Sequence, residues 1–316
     1  MRRLLCILAL GLIHQISIWG QQQAQYTQFM FNKLWMNPGY AASGDEPCLN
    51  ILSRNQWLGF DGAPVSQAIN YHTPLKKQRV GLGISLNHDQ LGPTNTWTLS
   101  GNYAYRIPTS VGKLSIGVQG SITDFGIKFN ELSGLQDGDG IVADEYQRKL
   151  LTNFGAGLYF TTKKYFLGVS IPFLLQNDIS FNDGSTQSAI YGQQVIHWYI
   201  MGGALLRISQ KIKAKPAFLA KFAKNAPSDL DLNFSLIFLD RLWTGLSYRF
   251  GGSTRDSFGE SIDLILQYQL GWSFRLGVAY DYALTELQNH NNGSLEFMLQ
   301  YCFNKKSEEI TNPRFF

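Results

Sequence analysis

The stretch SFRLGVAYDY at residues 273–282 decides the fold. Its large apolar residues fall on every second position, and small, polar or charged residues fill the positions between them. The apolar positions are Phe274, Leu276, Val278, Tyr280 and Tyr282. A period of two is that of a β-strand with two different faces, because successive side chains of a strand point to opposite sides. The stretch therefore predicts a strand.

The same period recurs from Cys48 almost to the end of the chain. Helical spacing of about 3.6 residues does not fit these segments. We predict fourteen strands, at residues 48–58, 66–73, 79–88, 95–106, 112–124, 150–161, 165–173, 195–207, 211–222, 229–238, 242–250, 258–269, 273–282 and 292–303.

The connections between the predicted strands alternate between longer and shorter ones. The longest span residues 125–149 and 174–194, whereas connections such as 162–164 and 208–210 are tight turns. Outer-membrane barrels have short periplasmic turns and longer external loops, but a Greek-key sandwich has no reason for such alternation. The pattern predicts an up-and-down antiparallel barrel whose even number of strands leaves both of its ends on the periplasmic side.

The two faces of the strands differ as those of a membrane barrel do. One face carries large aliphatic and aromatic residues, and the other carries small and polar ones, for example Gly81, Gly83, Ser85 and Asn87. A water-soluble barrel would bury the large apolar residues, whereas a transmembrane barrel turns them toward lipid. We therefore predict the fold class as all-β, a transmembrane up-and-down antiparallel β-barrel of about 14 strands.

The composition excludes several classes of protein. The chain has 316 residues, of which 44% are hydrophobic and 16% charged, and its formal net charge is +4. It is too apolar for a disordered chain and too weakly charged for a nucleic-acid-binding protein. Its three cysteines are too few for a disulfide scaffold.

Residues 1–20 have the layout of a secretory signal peptide. Arg2 and Arg3 precede an apolar stretch from Leu4 to Ile13, which is too short to span a bilayer as a helix. We expect cleavage near Gly20 and localisation in the outer membrane. The alternative is a short buried helix at the start of a cytoplasmic domain.

Residues 21–47 lie between the signal peptide and the first predicted strand. They carry too many large apolar side chains for a free tail, namely Tyr26, Phe29, Phe31, Leu34, Trp35, Met36 and Tyr40. We expect this segment either to fold into the lumen as a plug or cap, or to dock a periplasmic partner. Residues 48–303 would form the barrel and residues 304–316 a periplasmic tail, so that the segment and the tail both face the periplasm.

Cys48 and Cys302 lie at the start of the first predicted strand and near the end of the last one. These strands pair in a closed antiparallel barrel, so the two side chains meet at the periplasmic rim and point inward. The periplasm permits disulfides. We expect either a disulfide that closes the barrel or two free, neighbouring thiols.

Several motifs resemble those of a known family. They are QYTQFMFN at 25–32, NPGYA at 37–41, RNQW at 54–57, GFDGAP at 59–64, YFLGVSIP at 165–172 and NPRFF at 312–316. Together they resemble the PorP/SprF family, outer-membrane barrels associated with the type IX secretion system and gliding motility of Bacteroidetes. Gly39 stands where that family leads us to expect alanine. The candidates for a family signature or a partner contact are Phe29, Met30, Asn32, Asn37, Pro38, Tyr40, Arg54, Asn55, Gln56, Trp57, Gly59 and Phe60.

The resemblance implies a non-enzymatic component that supports secretion or cell-surface anchoring of large exported proteins such as adhesins. Its implied partners are outer-membrane lipid, the periplasmic ring and peptidoglycan-binding subunits of the secretion machinery, and an exported surface protein. We expect no cofactor, and the weak net charge leads us to expect no nucleic-acid partner. The alternatives are a passive solute porin, which needs an open lumen, and a barrel enzyme, for which no catalytic cluster stands out in the sequence.

Two further sets of polar residues are candidates for binding. Arg54 is expected to point into the lumen, where an arginine needs a carboxylate partner because an unpaired buried charge is costly. The acidic residues Asp137, Asp139, Asp144 and Glu145 lie in one predicted loop. Their spacing does not complete an EF-hand, so we expect a solvated acidic loop in preference to a calcium site.

Overall fold

The computed structural model describes residues 23–75, 79–128, 146–182, 188–224, 226–251 and 259–303. The predicted signal peptide, the predicted tail 304–316 and the acidic residues between Asp137 and Glu145 lie outside these ranges. Within them, no helix is long and apolar enough to cross a membrane.

Strands dominate the described chain. They are β1 (Cys48–Asn55), β2 (Val65–Pro74), β3 (Val80–Leu91), β4 (Thr94–Pro108), β5 (Lys113–Lys128), β6 (Tyr146–Thr161), β7 (Tyr165–Ile171), β8 (Asp178–Asn182), β9 (Ser188–Gln193), β10 (His197–Ala204), β11 (Leu206–Arg207), β12 (Ile212–Ala223), β13 (Asp229–Phe238), β14 (Leu242–Phe250), β15 (Ser261–Leu270), β16 (Phe274–Ala283) and β17 (Ser294–Cys302). Before β1 lie a short 3₁₀ turn (Phe29–Phe31), the helix α1 (Lys33–Met36) and a second 3₁₀ turn (Pro38–Ala42). A further 3₁₀ turn (Glu286–His290) precedes β17.

The sheet closes on itself as a fourteen-stranded antiparallel barrel, which confirms the predicted fold class. Strands β1 to β7 follow one another around the wall, then β10, which β11 extends, and then β12 to β17. Two pairings close the ring, β10 with β12 and β1 with β17. The small hairpin β8–β9 lies outside this ring.

Burial alternates along the barrel strands in the sense predicted for a membrane protein. On β6, Leu150 and Phe154 are 66% and 61% exposed, whereas Asn153 between them is buried. Polar residues such as Ser85, Ser100 and Asn70 are likewise buried on the inward face. The large apolar residues thus face outward. An outward apolar surface of this kind is stable in contact with the hydrocarbon of a membrane.

At the end of the barrel opposite Cys48 and Cys302, several strands extend further than the sequence predicts. Strands β5 and β6 continue into the predicted loop 125–149, and the ladder runs to the pair Lys128 and Tyr146. Strands β3 and β4 continue until only Gly92 and Pro93 connect them, so this connection breaks the predicted alternation of long and short connections. The hairpin β8–β9 occupies the predicted loop 174–194, and its Ile179 and Phe181 pack against Phe125, Ile127 and Leu151.

The two ends of the barrel differ in their connections. One end, the disulfide rim, carries Cys48 and Cys302, which form a disulfide with their Cα atoms 4.1 Å apart. The connections at this rim are short, at residues 75–79, 109–112, 162–164, 208–211, 239–241 and 271–273. The opposite end, the outer mouth, has most of the long connections, which identifies it as the external side of an outer-membrane barrel.

Candidate functional site

The segment of residues 23–47, here the lumenal segment, lies against the inward face of the barrel strands. Its apolar side chains Phe29, Leu34 and Trp35 are buried. They belong to one cluster with inward residues of the wall, including Leu52, Tyr159, Met201, Leu219, Ile265 and Met298. The lumenal segment, which is too apolar for a free tail, thus packs against apolar side chains inside the barrel.

A carboxylate cluster holds the early part of the lumenal segment. Glu296 on β17 accepts hydrogen bonds from the backbone N–H groups of Thr27 (2.8 Å) and Gln28 (2.9 Å). The Thr27 hydroxyl donates to Asp281 on β16 at 2.7 Å. Because the carboxylates are ionised acceptors, these bonds are of the stronger, charge-assisted kind.

Arg54 compensates the charge of this cluster. Its Nη1 atom lies 2.5 Å from Asp281 and 3.6 Å from Glu296, and it also donates to the Thr27 hydroxyl at 2.7 Å. Arg54 and Glu296 are 2% and 0% exposed. The carboxylate partner that the sequence predicts for Arg54 is therefore a pair of residues on the last two strands of the barrel.

Asparagine and serine side chains fix the middle of the lumenal segment. Asn70 on β2 donates to Asn32 at 2.7 Å, and Ser170 on β7 donates to the Met36 carbonyl at 2.7 Å. Asn37 donates to the Leu158 carbonyl at 3.0 Å and accepts from the N–H of Gly39 at 2.8 Å. The last contact caps the second 3₁₀ turn, in the manner of an asparagine at a helix start.

Lys33 on α1 lies among aromatic rings. Its Nζ atom is 4.3 Å from the ring centre of Phe166, 5.0 Å from that of Tyr40 and 5.8 Å from that of Tyr159. It also donates to the Tyr159 hydroxyl at 3.4 Å. The ring faces stabilise a cation, which offsets part of the cost of removing the ammonium group from water.

The end of the lumenal segment is bound at the disulfide rim. Asp45 accepts hydrogen bonds from Arg106 on β4 and Lys113 on β5, both at 2.9 Å. Arg106 also donates to the Gly44 carbonyl at 2.6 Å. These wall residues flank the short turn 109–112, so this end of the segment belongs to the disulfide rim.

The wall carries glycines where the lumenal segment comes closest. A Cβ atom at Gly81 would lie 2.2 Å from the Ala41 carbonyl oxygen, and one at Gly117 would lie 2.2 Å from the Gly39 nitrogen. Backbone therefore packs directly on backbone at both places, which no residue with a side chain permits.

The signature candidates separate into two groups. Phe29, Met30, Asn32, Asn37, Pro38, Tyr40 and Arg54 are buried in the lumen and come together through the contacts above. Asn55 ends β1, and Gln56, Trp57, Gly59 and Phe60 lie in the turn that follows it, at the outer mouth. The first group builds the interior, so only the second group is placed to touch an external partner directly.

The turn after β1 is held to the chain before β17. The N–H of Leu58 donates to the Gly293 carbonyl, and that of Asn292 donates to the Leu58 carbonyl, both at 2.8 Å. Trp57 and Gly59 adopt positive φ values of 48° and 87°. The aromatic rings of Trp57 and Phe60 meet edge to face, 6.3 Å apart, so this corner of the outer mouth is a defined surface.

A cavity of about 280 Å³, here the outer cavity, opens at the outer mouth between the lumenal segment and the wall. Both hydroxyl groups and apolar rings line it. Its lining includes Thr94, Thr96, Thr98 and Thr123, Asn87 and Asp89, and Trp35, Phe125 and Phe173. The buried Asn87 amide has no hydrogen-bond partner within the described ranges. Apolar walls with a few polar groups are typical of a binding pocket.

Sequence reasoning missed Lys33, Asp45, Arg106 and Glu296 as site residues. Glu296 and Asp281 do fall on the inward face of their strands by alternation, so the need of Arg54 for a partner was a usable signal for them. Across the described ranges, no group of three or more histidine, cysteine or acidic residues is arranged to hold a metal ion.

Solved structures with a similar fold are outer-membrane proteins and channels. The Omp33 outer membrane protein of Acinetobacter baumannii is 9% identical, with a TM-score of 0.50 over 82% of this chain and 98% of that one. CymD, a monoaromatic hydrocarbon channel, is 8% identical, with a TM-score of 0.50 over 92% of this chain and 97% of that one. At such identities the likeness shows the fold alone. No curated protein matches the chain.

The model of the family described as type IX secretion system membrane protein PorP/SprF matches residues 18–301. The resemblance found in the sequence is thereby confirmed. This chain belongs to the PorP/SprF family of type IX secretion system membrane proteins and has the β-barrel of an outer-membrane protein.

Proposed function

We propose, from its membership of the PorP/SprF family, that this chain is a non-enzymatic scaffold that anchors a large exported protein, such as an adhesin, at the cell surface. The exported protein docks at the outer mouth. The periplasmic ring and peptidoglycan-binding subunits of the secretion machinery meet the barrel at the disulfide rim. Gliding motility is the process in which such an anchored adhesin acts.

One observation carries this proposal: the lumen holds the lumenal segment. A buried cluster of Phe29, Leu34 and Trp35 against the wall occupies the space that a solute porin needs for water and solute. We accordingly assign the lumenal segment the role of a plug. The surface left for a large partner is the outer mouth, with the outer cavity and the ordered corner at Trp57 and Phe60.

The outer cavity supplies the chemistry for docking. It combines exposed apolar area with threonine hydroxyls and an unpartnered asparagine amide within the described ranges. A protein segment that inserts an apolar side chain and offers backbone groups would satisfy both kinds of lining.

Crosslinked pull-down from outer membranes tests the proposal. The variant Thr96→Trp fills the outer cavity, and Leu99→Trp is its matched control on the same strand, because Leu99 faces lipid and is 48% exposed. We expect Thr96→Trp to recover several-fold less exported protein than the native chain and the same amount of periplasmic subunits. Leu99→Trp should match the native chain in both. Equal recovery of the exported protein with Thr96→Trp would count against docking at the outer cavity.

The alternative function is a solute porin, which the outer cavity favours because it reaches as deep as Trp35. Single-channel recording of the purified protein separates the two functions. Steady conductance of the native protein supports the porin. A closed native protein that conducts only after Gly117→Val pushes the lumenal segment from the wall supports the plugged scaffold.

A further inference from the structure

The lumenal segment has a direction, which its contacts define. At its start, the Tyr199 hydroxyl donates to Gln23 at 2.5 Å, and Gln25 donates to Asp229 at 3.3 Å. Tyr199 lies near the start of β10, and Asp229 begins β13. Both strand starts follow connections of the outer mouth, so Gln23 and Gln25 lie at the outer end of the barrel.

The other end of the lumenal segment lies at the opposite rim. Asp45 is bound by Arg106 and Lys113 beside the turn 109–112, and β1 then begins at the disulfide with Cys48. The segment therefore passes through the whole lumen, from the outer mouth to the disulfide rim. This corrects the sequence prediction that the segment as a whole faces the periplasm.

We infer that the chain presents the amino-terminal end of the lumenal segment on the cell-surface side of the outer membrane. Gln23 and Ala24 line the outer cavity itself. The amino-terminal end is thus part of the surface that an extracellular protein partner meets, and within the described residues the disulfide rim is the surface that faces the periplasm. The inference rests on the strand topology and is independent of which protein the outer mouth receives.

The contacts along the lumen keep this arrangement in place. Withdrawal of the segment toward the periplasm would break the hydrogen bonds of Thr27 and Gln28 to Glu296. It would also remove the Thr27 hydroxyl from its hydrogen bonds with Arg54 and Asp281. Buried charges that lose their hydrogen bonds are costly. The wall residue beside the backbone of Gly39 is Gly117, where a side chain would collide with the segment. This close fit also holds the segment in its position.

Thiol labelling of intact cells tests the inference. The native chain suits the experiment, because Cys48 and Cys302 form a disulfide and the third cysteine, Cys6, lies in the predicted signal peptide. Gln23→Cys is compared with Asp61→Cys at an exposed turn of the outer mouth and with Ser110→Cys at an exposed turn of the disulfide rim. The probe is a maleimide that does not cross membranes.

We expect Gln23→Cys and Asp61→Cys to be labelled on intact cells, and Ser110→Cys to be labelled only after the outer membrane is permeabilised. Labelling of Gln23→Cys only after permeabilisation, together with Ser110→Cys, would overturn the inference. The unaltered chain measures any background from native thiols.

An epitope inserted between Gln22 and Gln23 gives a second measurement, because Gln23 is half-buried and hydrogen-bonded. Antibody should bind this epitope on intact cells and should bind an epitope placed after Phe316 only in permeabilised ones. The reverse result would overturn the inference. Both tests work without any exported protein, so surface exposure combined with a failed pull-down would refute the proposed function and leave the inference standing.

Discussion

Glu296, near the start of the last strand, accepts a hydrogen bond from the backbone N–H of Thr27 at 2.8 Å, although 269 positions separate the two residues. The same carboxylate also binds the N–H of Gln28. One side chain of the closing strand thus holds the beginning of the lumenal segment, and the stability of the barrel and the position of the segment depend on each other.

Removing the charge of Glu296 should loosen the lumenal segment. Glu296→Gln replaces an ionised acceptor by a neutral amide, so we expect a loss of about 1.5–3 kcal/mol in the free energy of unfolding. Chemical unfolding of the purified protein in micelles measures this loss. The matched control, Glu286→Gln, changes an exposed residue of the outer mouth and should stay within about 0.5 kcal/mol of the native chain.

Truncating Arg54 should cost more than neutralising Glu296. Arg54→Ala leaves Asp281 and Glu296 buried together without their cation, for which we expect a loss of about 3–5 kcal/mol. The same unfolding experiment measures it. If Arg54→Ala were as stable as the native chain, the ion pairs would not be holding this cluster.

A methyl group at Gly117 should displace the lumenal segment. Gly117→Ala puts a Cβ atom 2.2 Å from the Gly39 nitrogen, and overpacking of this kind costs about 1–3 kcal/mol. Limited proteolysis should cut residues 23–47 faster in this variant. Gly120→Ala, on the same strand, meets nothing within 4 Å and serves as the control that should be cut at the native rate.

Removing the charge of Lys33 should not destabilise the protein. Lys33→Met keeps a long side chain among the rings of Tyr40, Tyr159 and Phe166 but removes the charge. Replacement of a buried charge by an apolar residue is often neutral or stabilising, so the variant should melt no lower than the native chain. A clearly lower melting temperature would show that the cation and the rings together stabilise the fold.

Removal of the disulfide should weaken the barrel without opening it. Cys48→Ser combined with Cys302→Ser removes a crosslink between positions separated by 254 residues, and such losses are typically about 2–4 kcal/mol. The ladder from Cys48–Cys302 to Asn55–Leu295 remains, so the barrel should still close. Gel mobility of unheated and heated samples measures closure and stability together.

The strands could be predicted from the sequence because lipid imposes an apolar residue on every second position. Residues 273–282 show this directly and form β16 almost as predicted. Where a strand projects past the membrane, its outward positions need not be apolar. Gly126 and Arg148 are outward positions of this kind. The extensions of β5 and β6 were therefore predicted as loop.

The interior of the barrel could be predicted only in part. The inward direction of Arg54 and its need for a carboxylate follow from alternation and from the cost of an unpaired charge. The aromatic surroundings of Lys33 do not, because Tyr159 and Phe166 lie more than a hundred positions away and nothing in their own strands marks them as its neighbours. Residues 23–47 have no regular spacing of apolar residues, and the strands that they contact are far away in the sequence. These contacts therefore depend on the three-dimensional path of the chain, which the sequence pattern does not give.

The passage of residues 23–47 through the lumen ties two distant parts of the sequence together. At Gly81 and Gly117, a Cβ atom on the wall would lie 2.2 Å from the backbone of this segment. The wall and the segment are therefore complementary in shape at these two points. A larger residue at either glycine should be accommodated only if residues 39–41 shift their position as well.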